Sequence, residues 1–179
     1  MSGHNKWSKI KNKKAVTDAK KSKIFSKFAK LIAVESKRVK GDVNSPTLKS
    51  IIEQAKAVNM PADNVERAVK KGSDADTANL ESVTYEAYGP GGCALIIECL
   101  TDNKNRAAAE IRHILSKNDL SLAGIGSVTW SFEKKGNQWF PQTKLPLSEE
   151  HLEKIEKIID ELEEIEDVQE VFTNIEDED

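Results

Sequence analysis

The first third of the chain carries apolar residues at helical spacing. At 100° per residue the apolar positions of its first stretch fall within one arc, and they are Ile24, Phe28, Leu31, Ile32 and Val39. The opposite arc, about 100° wide, holds lysines with no acidic residue among them, and they are Lys20, Lys23, Lys27, Lys30 and Lys37. The pattern therefore predicts a helix over residues 18–39 with one buried face and one cationic face.

Two shorter helices are predicted to follow the first one. Ser45 is a good N-cap and Pro46 suits the first helical position, whereas Pro61 disfavours helix at the residue before it. A third helix is expected over residues 62–71, with Gly72 as its terminator. Together the three helices predict a small N-terminal bundle.

Beyond residue 80 the pattern changes from a helical to an alternating period. Residues 82–88 alternate, and residues 93–100 form a near-continuous apolar run typical of a central strand. With the later segments the order is β-β-α-β-β-α-β. This order predicts an α+β fold, in which a ferredoxin-like sandwich follows the N-terminal three-helix bundle. The expected domains are residues 1–76 and 77–179.

The segment over residues 127–133 is a second alternating stretch. As a strand it would place Val128, Trp130 and Phe132 on one face. The segment after it contains Pro141, which cannot donate a hydrogen bond to a ladder. That segment is therefore predicted to be an edge strand.

Charge divides the chain more sharply than its net charge of −3 suggests. Residues 1–72 hold 18 Lys and Arg against 6 Asp and Glu, whereas residues 73–179 hold 9 against 24. An asymmetry this large predicts a polyanion-binding head on an acidic body. The acidic C-terminal segment is interpreted as a solvated helix face. The alternative is that this segment folds back on the basic arm and competes there with the polyanion.

The N-terminal arm and the first helix supply the candidate nucleic-acid-binding residues. Lysine provides the phosphate contacts that give most non-specific affinity, although a purely solvated helix face is the alternative. The indole of Trp7 suits stacking on an unpaired base, and it suits equally a hydrophobic staple on the bundle. The candidates are Trp7, Lys9, Lys11, Lys13, Lys14, Lys20, Lys21, Lys23, Lys27 and Lys30.

The kind of basic residue bears on which nucleic acid is bound. Only Arg38 and Arg67 are arginines within the first 72 residues. Lysine is a point charge and lacks the bidentate fork that reads guanine. This favours recognition of backbone and shape, as in structured RNA on a ribosome. A DNA-binding transcriptional regulator is the alternative.

Residues that could carry catalysis or bind a metal are few and scattered. Cys93 and Cys99 are six residues apart, so a regular strand holds them about 20 Å apart, too far to share one metal. The Gly-rich turn at residues 89–92 precedes a strand and lacks the helix of a phosphate-binding loop, although it could approach RNA closely. His113 has no ligand partner nearby in sequence. We expect no enzyme, no cofactor, no metal site and no small-molecule substrate.

The sequence also argues against a membrane partner. No apolar run approaches the roughly 18 residues needed to cross a bilayer, and no signal-peptide core follows Met1. Peripheral binding would need exposed apolar anchors, but the bundle needs Ile24, Phe28 and Leu31 for its core. We therefore expect a cytoplasmic protein.

Four stretches of the sequence resemble the YebC/PmpR family, in order and over essentially the whole chain. They are GHNKWSKIKNKKAVTDAKKSKIFSK, AKAVNMPADNVERAVKKG, YEAYGPGGCALIIECLTDNKNRAAAEIRH and VQEVFTN. Typical members have a third α/β domain inserted between the segments that match SVTWSFEKKG and TKLPLSEE. Only NQWFPQ lies between those segments here, so the chain resembles a short form that lacks the inserted domain.

The resemblance implies one of two roles. Family members are described as DNA-binding transcriptional regulators, and some are implicated in translation, where they bind ribosomes and ease the synthesis of proline-rich stretches. The expected partner is accordingly nucleic acid, either ribosomal RNA or DNA. The lysine chemistry favours the ribosome.

Overall fold

The computed structural model of the protein describes residues 18–74 and 79–176. Its contacts divide the chain between Leu80 and Glu81 into a helical unit and an α+β unit. Each unit has a hydrophobic core of its own. Among the described helices, none combines the length and the apolar character needed to cross a membrane.

Three α-helices make up the helical unit, as the sequence predicts. They are α1 (Asp18–Arg38), α2 (Pro46–Ala57) and α3 (Ala62–Ser73). After α1 the chain turns through Gly41, whose φ is +78° and whose N–H donates to the carbonyl of Ser36 at 2.8 Å. Ser45 lies at the N-cap of α2, although its side chain makes no capping hydrogen bond.

The core of the helical unit is built from one face of each helix. The apolar arc predicted for α1 is largely confirmed, since three of its five residues are buried and Leu31 and Val39 pack partly buried against the same cluster. The buried members of the cluster are Ile24, Phe28, Ile32, Leu48, Ile51, Ala55, Met60, Val65 and Ala68. These apolar side chains therefore serve as the core of the bundle.

Gly72 lies inside α3, so its predicted role as the terminator of that helix is wrong. A Cβ at this position would lie 2.2 Å from the carbonyl oxygen of Ala33 and 2.6 Å from the Cβ of Ser36. Beside it the hydroxyl of Ser36 donates to the carbonyl of Val69 at 2.7 Å. The glycine is required because α1 and α3 approach closely here.

The α+β unit contains the predicted order of strands and helices. The elements are β1 (Glu81–Tyr88), β2 (Ala94–Thr101), α4 (Lys104–Lys117), β3 (Phe132–Lys135), β4 (Gln138–Pro141), α5 (Glu149–Glu164) and β5 (Val168–Thr173). Among the described residues the strands form two sheets, a three-stranded antiparallel sheet in the order β1-β2-β5 and a β3-β4 hairpin. The predicted α+β class is confirmed.

The two faces of the three-stranded sheet are covered by different elements. On one face Leu95 and Ile97 of the central strand pack against α4 and α5, through residues such as Ile111, Leu115 and Leu162. The other face is covered by a smaller cluster, whose members are Ala94, Ile96, Val128, Phe132 and Phe172 with Trp139 packed against them. The alternating directions of side chains along β2 explain why this buried strand serves both cores.

The β3-β4 hairpin is anchored to the sheet that it covers. Its strands pair from Phe132 with Pro141 to Lys135 with Gln138, which leaves a two-residue turn at its tip. The indole N–H of Trp139 donates to the carboxylate of Glu98 at 2.6 Å. The hairpin thus closes the second face of the sheet with both apolar and polar contacts.

Candidate nucleic-acid interface

The described part of the predicted interface lies on α1. Lys20, Lys21 and Lys23 are exposed, Lys30 is half-buried, and Lys27 is only 8% exposed. The remaining predicted contacts lie outside the described residues, and they are Trp7, Lys9, Lys11, Lys13 and Lys14. The structure therefore brings three exposed lysines together within about one turn of α1.

The expectation that Lys27 faces water is wrong. Because α1 packs against both α2 and α3, its buried arc is wider than that of a helix with a single contact face. The arc extends to Ala33 and Ser36 on one side and to Lys27 on the other. The long aliphatic stem of lysine tolerates such a position. Lys27 is consequently a poorer candidate for phosphate contact than the three exposed lysines.

Both arginines of the helical unit are engaged within that unit. Arg38 donates from Nε and Nη2 to the carboxylate of Glu35 at 3.0 Å and 2.5 Å. The hydrogen bond from Arg38 is the largest cause that holds the pKa of Glu35 below its ordinary value. Arg67 donates to the side chain of Asn64. These hydrogen bonds occupy guanidinium N–H groups, so each arginine has fewer donors left for a bidentate contact with guanine.

The cysteines of the α+β unit are core residues. Cys93 and Cys99 are both buried, and burial raises the pKa of the Cys93 thiol to about 11, which suppresses the reactive thiolate near neutral pH. His113 is exposed on α4. Within residues 18–74 and 79–176, no group of three or more His, Cys, Asp or Glu side chains could hold a metal ion.

The Gly-rich turn between β1 and β2 is a tight turn, as predicted. Gly91 and Gly92 have φ values of +70° and +80°. A Cβ on Gly91 would lie 2.7 Å from Leu147 and 2.8 Å from the ring of His151. The turn is thus packed against the start of α5, and glycine satisfies both its backbone conformation and its space.

Sequence reasoning missed an exposed loop over residues 123–131, called here the aromatic loop. Trp130 is 76% exposed, and Ile125 is fully exposed. The expected strand begins only at Phe132, because residues 129–131 form a 3-10 turn that breaks the two-residue period. Val128 and Phe132 are therefore buried while Trp130 is not. The sequence signal that could have indicated this loop is the lack of charged residues from 121 to 132, in a chain of which 32% of the residues are charged.

A buried carboxylate holds the aromatic loop in place. Glu86 on β1 accepts hydrogen bonds from the backbone N–H groups of Gly126 at 2.7 Å, Val128 at 2.8 Å and Thr129 at 3.0 Å. Burial would raise the pKa of Glu86, but these three donors more than offset it and hold the pKa below its ordinary value. The loop therefore has a fixed conformation.

Replacing Glu86 by glutamine is expected to lower the free energy of unfolding at pH 7 by about 1–3 kcal/mol, because the amide cannot accept all three bonds. The folded-state pKa of Glu86 lies below the unfolded-state value. The stability that Glu86 contributes is therefore fully present above the unfolded-state pKa and is lost as the pH falls through the folded-state pKa. Urea unfolding followed by tryptophan fluorescence should show a difference between the two proteins that shrinks below the ordinary pKa of 4.5.

The matched control is Glu81→Gln, since Glu81 is exposed on the same strand and pairs only with the exposed side chain of Lys104 among the described residues, a surface ion pair of small net effect. We expect this control to change the free energy of unfolding by no more than about 0.5 kcal/mol at pH 7. A Glu86→Gln difference that stays constant from pH 7 into the acid range would contradict the role given to the carboxylate.

The architecture defines the class of protein as a lysine-bearing helical unit followed by an α+β unit with an antiparallel central sheet. A solved structure of the same architecture is that of the conserved hypothetical protein Aq1575 from Aquifex aeolicus. It is 30% identical, with a TM-score of 0.83 and 98% of each chain covered. The similarity therefore extends over nearly the whole chain.

Family models match both units. The TACO1/YebC protein N-terminal domain matches residues 5–75, and the TACO1/YebC second and third domain matches residues 80–138 and 136–175. The chain belongs to the TACO1/YebC family, which confirms the resemblance found in the sequence. The two segments of the second match meet in the β3-β4 hairpin, where the sequence indicates that the inserted domain is missing.

Curated relatives are about 50% identical to this chain over the segments that align. A protein of Finegoldia magna is 54% identical over 138 residues, which are 76% of this chain and 57% of the relative. A protein of Desulfosudis oleivorans is 49% identical over 157 residues, which are 87% of this chain and 63% of the relative. Both are named "Probable transcriptional regulatory protein". The chain thus spans about three fifths of the length of these relatives.

Proposed function

We propose that this protein is a non-enzymatic, nucleic-acid-binding regulator of gene expression that acts in the cytoplasm. The observation that carries the proposal is the exposure of Lys20, Lys21 and Lys23 within one turn of α1. Ammonium groups so placed can meet neighbouring phosphates along a strand. The names of the relatives support a regulatory role.

The N-terminal arm would extend the same cationic surface. In this proposal Lys9, Lys11, Lys13 and Lys14 add phosphate contacts, and Trp7 stacks on an unpaired base. Described residues 18–74 alone carry 13 Lys and Arg against 7 Asp and Glu. A cationic head of this kind is attracted to any polyanion, and the binding falls as salt rises.

Structured RNA on the ribosome fits the chemistry of the site better than a DNA operator. The exposed cations of α1 are lysines, which recognise phosphate without reading bases. Arg38 and Arg67, which have the geometry to read guanine, are engaged by Glu35 and Asn64. Backbone and shape recognition is typical of proteins that bind folded RNA.

A DNA-binding transcriptional regulator is the second candidate. The observation that favours it is the shared name of the two relatives, which refers to transcription. Non-specific duplex binding through lysine phosphate contacts would suffice for such a role. Peripheral membrane binding through α1 is disfavoured, because Ile24 and Phe28 are buried in the bundle.

Sedimentation with ribosomal particles tests the proposal. At low salt we expect the protein to pellet with the ribosomes, and we expect it to stay in the supernatant as the KCl concentration rises. The control is the same protein without ribosomes. Binding to duplex DNA without co-sedimentation would select the second candidate, and binding to neither at low salt would overturn both.

A further inference from the structure

The indole ring of Trp130 lies at the surface of the α+β unit, where a hydrogen bond orients it. Its N–H donates to the carbonyl of Ser127 at 2.8 Å, and the hydroxyl of Tyr88 donates to the same carbonyl at 2.9 Å. Because the only polar donor of the indole is already used, Trp130 offers a partner its ring surface. A ring fixed in advance loses little conformational entropy on binding.

The backbone beside this ring leaves room for a close approach. Gly126 has a φ of +84°, and a Cβ built on it would meet no atom within 4 Å. Gly124 is also exposed, and a Cβ there would touch only the hydroxyl of Ser127. Loops without side chains at such positions let another molecule approach the backbone.

The local charge of the aromatic loop does not oppose a nucleic acid, although the α+β unit as a whole is acidic. Residues 121–132 contain no charged side chain. The carboxylate below the loop, Glu86, is buried and accepts three backbone hydrogen bonds. The nearest charged side chains that follow are Glu133, Lys134 and Lys135, all exposed. Lys134 lies 3.7 Å from the carboxylate of Glu98 and Lys135 lies 3.3 Å from that of Glu133, so each lysine is balanced by a carboxylate. A phosphate beside the ring would therefore meet no carboxylate from the loop itself.

The exposed apolar surface of the aromatic loop is small, and its size bears on whether a nucleobase or a protein binds there. Its large exposed side chains are Trp130, Ile125 and Tyr88. A stable protein interface buries about 800 Å² on each partner, with roughly 20–30 residues a side. One nucleobase, in contrast, covers about the area of one indole, and such stacking tolerates any base. A protein partner or a second copy of this chain would need polar surface around the loop as well, whereas one base is matched by the ring of Trp130 alone.

We propose that the aromatic loop is a stacking site for an unpaired nucleobase, with Trp130 as the ring that the base covers. The inference rests on the proposed function, since both take a nucleic acid as the partner. It adds a preference for single-stranded over duplex segments, because only an unpaired base can leave its own stack and cover the indole.

Fluorescence anisotropy with two labelled probes tests this proposal. The probes are a short single-stranded RNA of mixed sequence and an RNA duplex of equal length. Trp130→Ala should weaken binding to the single strand by about tenfold and leave binding to the duplex unchanged. Trp130→Phe should retain most of the affinity, because phenylalanine also stacks. The slope of log affinity against log salt should stay constant in both variants, because no phosphate contact is removed.

The matched control is Val43→Ala, which shortens an exposed apolar side chain of the helical unit. It should leave binding to both probes unchanged. Trp130 and Val43 are exposed, so both alanine variants should fold normally.

Several outcomes would overturn the proposal. If Trp130→Ala binds the single strand as tightly as the wild type, while glutamates at Lys20, Lys21 and Lys23 weaken it, only the stacking site is wrong. An equal loss of affinity for the single strand and the duplex would show that Trp130 does not stack on an unpaired base. Wild-type self-association that Trp130→Ala abolishes, with RNA binding unchanged, would make the loop an interface between copies. No binding to either probe at low salt would overturn both the stacking site and the proposed function.

Discussion

Replacing Lys20, Lys21 and Lys23 together by glutamate should weaken nucleic-acid binding by about 100-fold or more at moderate salt. Each replacement removes one phosphate contact and adds one repulsive charge, and about 1 kcal/mol per position gives this factor. The three side chains are exposed, so the bundle should keep its stability. Binding isotherms measured over a range of KCl concentrations should also show a salt slope smaller by about two to three.

A matched variant separates a specific cationic surface from a general effect of charge. Lys49, Lys56 and Lys70 are exposed on α2 and α3, and their replacement by glutamate changes the net charge of the protein equally. We expect this control to weaken binding by less than about tenfold, through long-range repulsion alone. Equal losses in the two triple variants would show that no particular face of α1 is used.

Replacing Gly72 by alanine should lower the free energy of unfolding of the helical unit by about 2 kcal/mol. The new methyl group would overlap the carbonyl oxygen of Ala33, at 2.2 Å, and the Cβ of Ser36, at 2.6 Å. Overpacking of this kind costs about 1–3 kcal/mol or more, and it outweighs the gain of about 1 kcal/mol that alanine gives over glycine within a helix. Urea unfolding followed by far-ultraviolet circular dichroism measures the difference.

Two further variants define the cause of that loss. Ser73→Ala, one residue away and exposed, should change the free energy of unfolding by no more than about 0.5 kcal/mol. Adding Ser36→Gly to Gly72→Ala should lower stability further, because the overlap with the backbone oxygen of Ala33 remains, the hydrogen bond from Ser36 to Val69 is lost and a glycine enters α1. A Gly72→Ala protein as stable as the wild type would mean that α1 and α3 lie further apart than the structure has them.

Most of the secondary structure follows from the hydrophobic pattern. The three helices of the first unit and the central strand β2 have long and consistent periods, which few other structures could satisfy. The role of Gly72 was out of reach, because a glycine near the end of a helical pattern usually marks a cap. Its contact with Ala33 depends on a second helix, which no local pattern records.

The site was predicted less completely than the fold. Lys27 was assigned to the cationic face because the sequence gives the period of α1 but not the number of helices packed against it. The aromatic loop was interpreted as a strand because alternation over seven residues normally indicates one. There Glu86, forty residues away, binds the backbone N–H groups of Gly126, Val128 and Thr129 that strand pairing could otherwise use.

The β3-β4 hairpin brings the two ends of its tip close together. Lys135 pairs directly with Gln138, so the chain leaves and re-enters the sheet at neighbouring points. A whole domain can be spliced into such a tip or omitted from it without disturbing the strands beneath. A change of length at residues 136–137 would therefore leave Trp139 packed against the second face of the sheet.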